Sequence, residues 1–167
     1  TGEQQVKNLT TAICLMIAVL LGGAGCAKQI KQIKQISSGD YGDYAKGYDA
    51  FHRGDYATVL REWVYFAEQG DAFVQNQLGW MYAEGKGVPQ DYKTAVKWYK
   101  LAAEQGYANA QFNLGWMYAE GKGVPQDYKT AVKWYKLAAE QGYANAQFNL
   151  GWMYAEGKGV PQDYKTA

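Results

Sequence analysis

The sequence predicts an all-α fold, a solenoid of antiparallel helix pairs with a period of 36 residues. Three observations carry that prediction. Residues 79–106 recur letter for letter at 115–142, and 143–167 repeats 107–131. A fixed period in the range of about 20–50 residues marks a solenoid or array. Within each period, apolar residues fall twice at helical spacing. Glycine and proline separate those two stretches.

The chain opens on a stretch outside this pattern. Residues 9–25 read LTTAICLMIAVLLGGAG, without charge, and Lys7 lies just upstream. A basic start, an apolar centre and a close of small residues predict a secretory signal over 1–27. The most apolar part, 12–21, is shorter than the ~20 residues of a bilayer span, although a membrane-spanning helix is the alternative. The stretch ends Gly23-Ala24-Gly25-Cys26-Ala27. That ending resembles the bacterial lipobox, whose Cys is lipidated, but Gly23 stands where the lipobox usually has Leu. Cleavage after Ala27 is the alternative. The lipobox reading implies an exported, periplasmic lipoprotein held at the outer membrane through Cys26, because Ala27 rather than Asp follows. Any contact with membrane is then expected only through that anchor. Cys14 would leave with the signal, so no internal disulfide is expected.

A basic linker spans 28–42. Residues 28–36 read KQIKQIKQI and place Lys28, Lys31 and Lys34 at every third position. The segment reads as a spacer between anchor and fold, or as a strip that follows an anionic surface. Ser37-Ser38-Gly39-Asp40 interrupts any helix there. Residues 43–70 read as a degenerate first pair, with Gly54-Asp55 as the turn and a second helix over 56–69. An atypical terminal unit suits a solenoid cap.

The repeat itself is read from 107 to 142. In its first helix Ala110, Leu114, Met117 and Tyr118 share one face, and Gly121 follows. Gly121-Lys122-Gly123-Val124-Pro125-Gln126 is a loop, since Pro125 cannot continue the helix. Asp127 suits a helix start, as cap or first-turn anion. The second helix runs to about Gln141 with a stripe of Ala131, Trp134, Tyr135 and Ala138, and Gly142 closes it. One such pair cannot bury its faces alone, so pairs must stack.

These residues resemble the Sel-one-like repeat (SLR), a relative of the tetratricopeptide repeat. The family pattern is met at Ala110, Leu114-Gly115, Tyr118, Gly121-Lys122-Gly123-Val124, Asp127, Ala131, Trp134, Ala138-Ala139 and Gly142. The copy at 71–106 departs only at Val74, where the family has Ala, and its first turn is expected to pack less closely. The copy at 143–167 matches as far as it runs, and stops five residues into its second helix. A fragment of a longer array is the expectation. The resemblance covers residues 71–167 and implies a right-handed α-solenoid.

Chemistry has little raw material. The chain carries 17 Lys and Arg against 16 Asp and Glu, a net charge of +1, which argues against nucleic acid as partner. His52 is the only His, and Cys14 and Cys26 are the only Cys, so no metal, cofactor or catalytic residue is expected. Gly85-Lys86 fails the phosphate-loop pattern because no Ser or Thr follows the Lys. Glu120 and Asp127 read as solvated or capping groups, and His52 as a surface residue or one whose hydrogen bonds are satisfied. Some cysteine-rich SLR relatives have been credited with β-lactamase-like activity. This chain lacks their paired cysteines and any Ser-x-x-Lys motif, so it reads as non-enzymatic.

The first helix of each pair has a second face. It carries Asn109, Phe112, Trp116 and Glu120, repeated as Asn145, Phe148, Trp152 and Glu156. In the first copy these positions hold Phe73, Asn76, Trp80 and Glu84. In tetratricopeptide-like solenoids this face lines the concave groove. The resemblance therefore implies an aromatic ladder of Trp80, Trp116 and Trp152, flanked by Asn and Glu, that binds a protein or peptide partner. A glycan or peptidoglycan ligand is the second reading. Burial of these tryptophans against the neighbouring helix is the structural alternative.

Overall fold

The computed structural model describes residues 42–163 and Lys165, and among them seven α-helices and no strand. The chain divides after Gln69 into two compact units. The signal, Cys26 and the linker as far as Tyr41 lie outside the described residues.

The first unit is one helix pair, α1 (Tyr44–Arg53) and α2 (Tyr56–Glu68). The Asp43 carboxylate caps α1 by accepting from the Lys46 amide, and Asp55 caps α2 by accepting from Thr58. Trp63 of α2 is fully buried, stacks on Phe51 and donates its indole N–H to the Tyr44 carbonyl at 3.1 Å. Gly47 makes room for it: a Cβ there would overlap the indole. Glu62 is buried yet charged. Burial pushes its carboxyl up, but the Asp43 amide, Arg61 and Lys46 more than offset this and hold it low. His52 is exposed and meets Tyr48 edge-on.

The second unit is an alternating stack of α3 (Ala72–Glu84), α4 (Tyr92–Glu104), α5 (Ala108–Glu120), α6 (Tyr128–Glu140) and α7 (Ala144–Glu156). Each helix packs on the next in sequence, so the unit is a solenoid of helix pairs with a 36-residue step. Leu114, Met117 and Ala110 of α5 are buried, as are Ala131, Tyr135 and Ala138 of α6. Gly115 sets the distance between these two helices, because a Cβ on it would come within 2.8 Å of the Tyr135 ring. At ~25 cal/mol per Å² of apolar surface, closing such a seam is the main stabilising term.

The connecting loops have matching conformations. The closing glycines Gly85, Gly121 and Gly157 have φ of 68°, 66° and 64°. Asp91 and Asp127 both cap the next helix at φ −148°, Asp91 accepting from the Lys93 and Thr94 amides and Asp127 from those of Lys129 and Thr130, with the Thr94 and Thr130 hydroxyls donating as well. Gln90 and Gln126 donate back to the carbonyls of Ala83 and Ala119, both at 2.7 Å.

Two expectations need correction. Val74 is fully buried, as Ala110 is, so the bulkier residue packs closely after all. Trp134 is only half-buried, whereas its counterpart Trp98 is 7% exposed. A complete helix pair, α5–α6, follows α4, while α6 is followed only by α7 among the described residues. The cover on this tryptophan position therefore comes from the pair that follows.

Candidate peptide-binding face

The six-residue loop after α5, and its copy after α7, decide what the tryptophan of each helix meets. Gly121 turns left-handed, and the Lys122 amide donates to the Met117 carbonyl at 3.0 Å. Gly123 turns left-handed again. The loop thus folds back along α5, and the Lys122 Nζ comes to rest 4.2 Å from the centre of the Trp116 ring. The same ammonium lies 5.3 Å from the centre of the Tyr92 ring, on the preceding repeat. One period later, Lys158 lies 4.0 Å from Trp152 and 5.5 Å from Tyr128. An ammonium between two aromatic faces is a cation–π pair, worth about 0.5–1 kcal/mol at an exposed site.

The expected face is not uniform. Trp80 and Trp116 are half-buried, and Trp152 is 44% exposed. Trp116 packs on the core cluster of α5 and α6, so groove-facing and core-facing descriptions each fit part of its ring. Asn109 and Asn145 are exposed. Phe112 is not a free contact: its ring packs against Tyr135 and Tyr143 at 5.7 and 5.3 Å. Its counterpart Phe148 is 76% exposed. Asn76 is buried and accepts from the Asn113 amide at 3.0 Å, which ties α3 to α5. Glu84, Glu120 and Glu156 are exposed, and none is in an ion pair among the described residues.

Sequence reasoning missed Lys122 and Lys158. The available signal was that each Trp of this face has a Lys six residues on, at 80/86, 116/122 and 152/158. It also missed a glutamine relay along another edge. Gln141 donates to Gln111, which donates to the Ala103 carbonyl, and Gln105 donates to Gln75.

Burial pushes the Tyr135 hydroxyl up to about 12. The nearby Glu120 carboxylate adds to this, and a hydrogen bond with Asn149 works against it. Burial also raises Tyr99 and Tyr107. Among the described residues, no cluster of three His, Cys, Asp or Glu side chains could hold a metal ion, and no helix is long and apolar enough to cross a membrane.

The profile of the Sel1 repeat matches three consecutive stretches, 72–107, 108–143 and 144–167, which together make up more than half of the chain. The chain belongs to the Sel1 repeat family. Solved Sel1 relatives have the same fold. A Sel1 repeat protein from Oxalobacter formigenes is 36% identical with a TM-score of 0.70, over 74% of this chain and 51% of that one. A protective antigen present in uropathogenic Escherichia coli strains, displaying an SLR fold, is 43% identical with a TM-score of 0.70, over 81% of this chain and 30% of that one. This Sel1 chain thus spans about half the length of the first and under a third of the second. No curated protein matches it significantly.

Proposed function

We propose that the chain is a non-enzymatic scaffold that binds a protein or peptide along the tryptophan-bearing face of α3, α5 and α7. Sel1 repeats generally serve protein–protein interaction. The observation that carries the reading here is the recurrence of the same partly exposed Trp–Lys pair in successive repeats. Weak contacts repeated at fixed spacing add through high effective concentration. A peptide bearing a cation suits the face better than a neutral glycan, because the Trp116 and Trp152 rings already hold an ammonium, that of Lys122 or Lys158.

Capture from a cell-envelope extract tests this, comparing the full chain with its Trp116→Ala/Trp152→Ala variant. The parent should retain a partner that the equally folded variant loses. Capture of the same proteins by both ends the proposal, and retention on purified peptidoglycan would favour the glycan reading. The setting is the cell envelope, with lipid on Cys26, supported by the apolar stretch and small residues that precede it. Mass spectrometry should find a lipid-shifted N-terminal peptide in the parent and none in Cys26→Ser. A parent without the shift removes the anchor.

A further inference from the structure

The copies of this face on α5 and α7 already hold a cation. Lys122 rests on Trp116 and Lys158 on Trp152, each also near a tyrosine of the preceding repeat. Neither ammonium is in an ion pair among the described residues, so aromatic faces and not carboxylates hold them there. The carboxylates stand beside the rings. Glu120 follows Trp116 by four residues on α5, and Glu156 follows Trp152 on α7. Residues i and i+4 of a helix are surface neighbours. Both glutamates are exposed and unpaired among the described residues. These two copies therefore each set an aromatic face that accepts an ammonium next to a carboxylate without a counter-charge.

We propose that this face recognises a basic peptide segment, extended and bearing lysine or arginine, with Lys122 and Lys158 as built-in occupants that the partner displaces. The proposal rests on the reading that the tryptophan-bearing face is the binding groove. A partner cation takes over the Trp and Tyr rings and pairs with the glutamate. The chain's own lysine swings out to water on its flexible stem. Arginine suits the site as well as lysine, since its planar head stacks on aromatic rings. In this scheme the built-in lysine weakens binding, which is the opposite of what a lysine recruiting an acidic partner would do.

Fluorescence anisotropy at low salt tests the assignment on the full chain, with a labelled (Lys-Gly-Gly)₄ peptide and its (Glu-Gly-Gly)₄ counterpart as probes. The basic probe should bind and the acidic one should not. Lys122→Gln with Lys158→Gln should tighten the basic probe by about twofold to fivefold per lysine, the factor by which the built-in cation competes. Lys122→Arg, which keeps a cation over the ring, should leave affinity near the parent's. Glu120→Gln with Glu156→Gln should weaken binding, and so should Trp116→Ala. Thermal melts of every variant confirm the fold. Binding of the acidic probe, lost on Lys122→Gln with Lys158→Gln, overturns the charge assignment while leaving the groove reading intact. Tighter binding absent in the lysine variants, or basic-probe binding that ignores Trp116→Ala, overturns the proposal. So does binding of neither probe, and the groove reading is then judged by the envelope capture alone.

Discussion

Gly123 sits on the carbonyl of Tyr92 in the preceding repeat, with no space between them for a side chain. Its φ is 74°, and Gly106 shares that left-handed conformation at 87°. A Cβ on Gly106, however, would meet nothing within 4 Å. Gly106→Ala should therefore cost only the backbone strain, roughly 1–2 kcal/mol. Gly123→Ala should cost that plus about 1–3 kcal/mol of overpacking at the joint. Urea midpoints compare them, and equal losses would mean that the joint between repeats yields freely.

Trp98 and Trp116 should separate core from face. Trp98 is 7% exposed, and Trp98→Ala should cost about 3–5 kcal/mol. Trp116 is half-buried under Lys122, and its truncation should cost clearly less. Thermal melts of the two variants decide the matter. Equal destabilisation would make Trp116 a core residue and remove it from the proposed binding face.

Asp91 should make the second unit acid-sensitive. Burial raises its carboxyl, but hydrogen bonds from the Thr94 hydroxyl and amide and the Lys93 amide more than offset this, so its pKa is lowered. Its capping contribution is then fully present above the unfolded carboxylate value of ~3.9 and is lost as pH falls through the lower folded value. Asp91→Asn caps without a charge and should make stability less steep against pH in that window, leaving the share of Asp127, whose carboxyl the Thr130 hydrogen bonds also hold low. Asp91→Ala should cost about 1 kcal/mol at neutral pH. An unchanged acid limb in Asp91→Asn would exclude the carboxylate as its source.

Tyr135 should set an alkaline limit. Its folded value is about 12, above the ordinary ~10, because burial disfavours the phenolate. The stability it contributes is fully present below pH ~10 and declines as pH rises toward the folded value. Tyrosinate absorbance should show a late-titrating group that Tyr135→Phe removes, alongside the one from Tyr99, which burial also raises. Titration of all tyrosines at the ordinary value in the folded protein would contradict this burial.

Much of the scaffold was legible in the sequence, because its causes are local. Asp127 precedes an amphipathic run and caps it, and Gly115 is small where Tyr135 crosses. The candidate face was legible only as a helical stripe. Period and spacing say which side chains share a face of α5, but not that the loop after it folds back to lay Lys122 on Trp116. Phe112 shows the same limit from the other side: it lies on the expected stripe, yet Tyr135 and Tyr143 of other segments claim its ring. Trp134 was read as core from its own helix, while its cover depends on the helix pair that follows.

The verbatim copies and their matching loop angles make the α4–α5 and α6–α7 joints chemically interchangeable. Adding or deleting one whole 36-residue unit would therefore create no joint that the protein does not already contain. Stability in such arrays grows by a nearly constant increment per unit. Array length can thus change by whole units at little structural cost, and with it the number of Trp–Lys pairs that the chain displays.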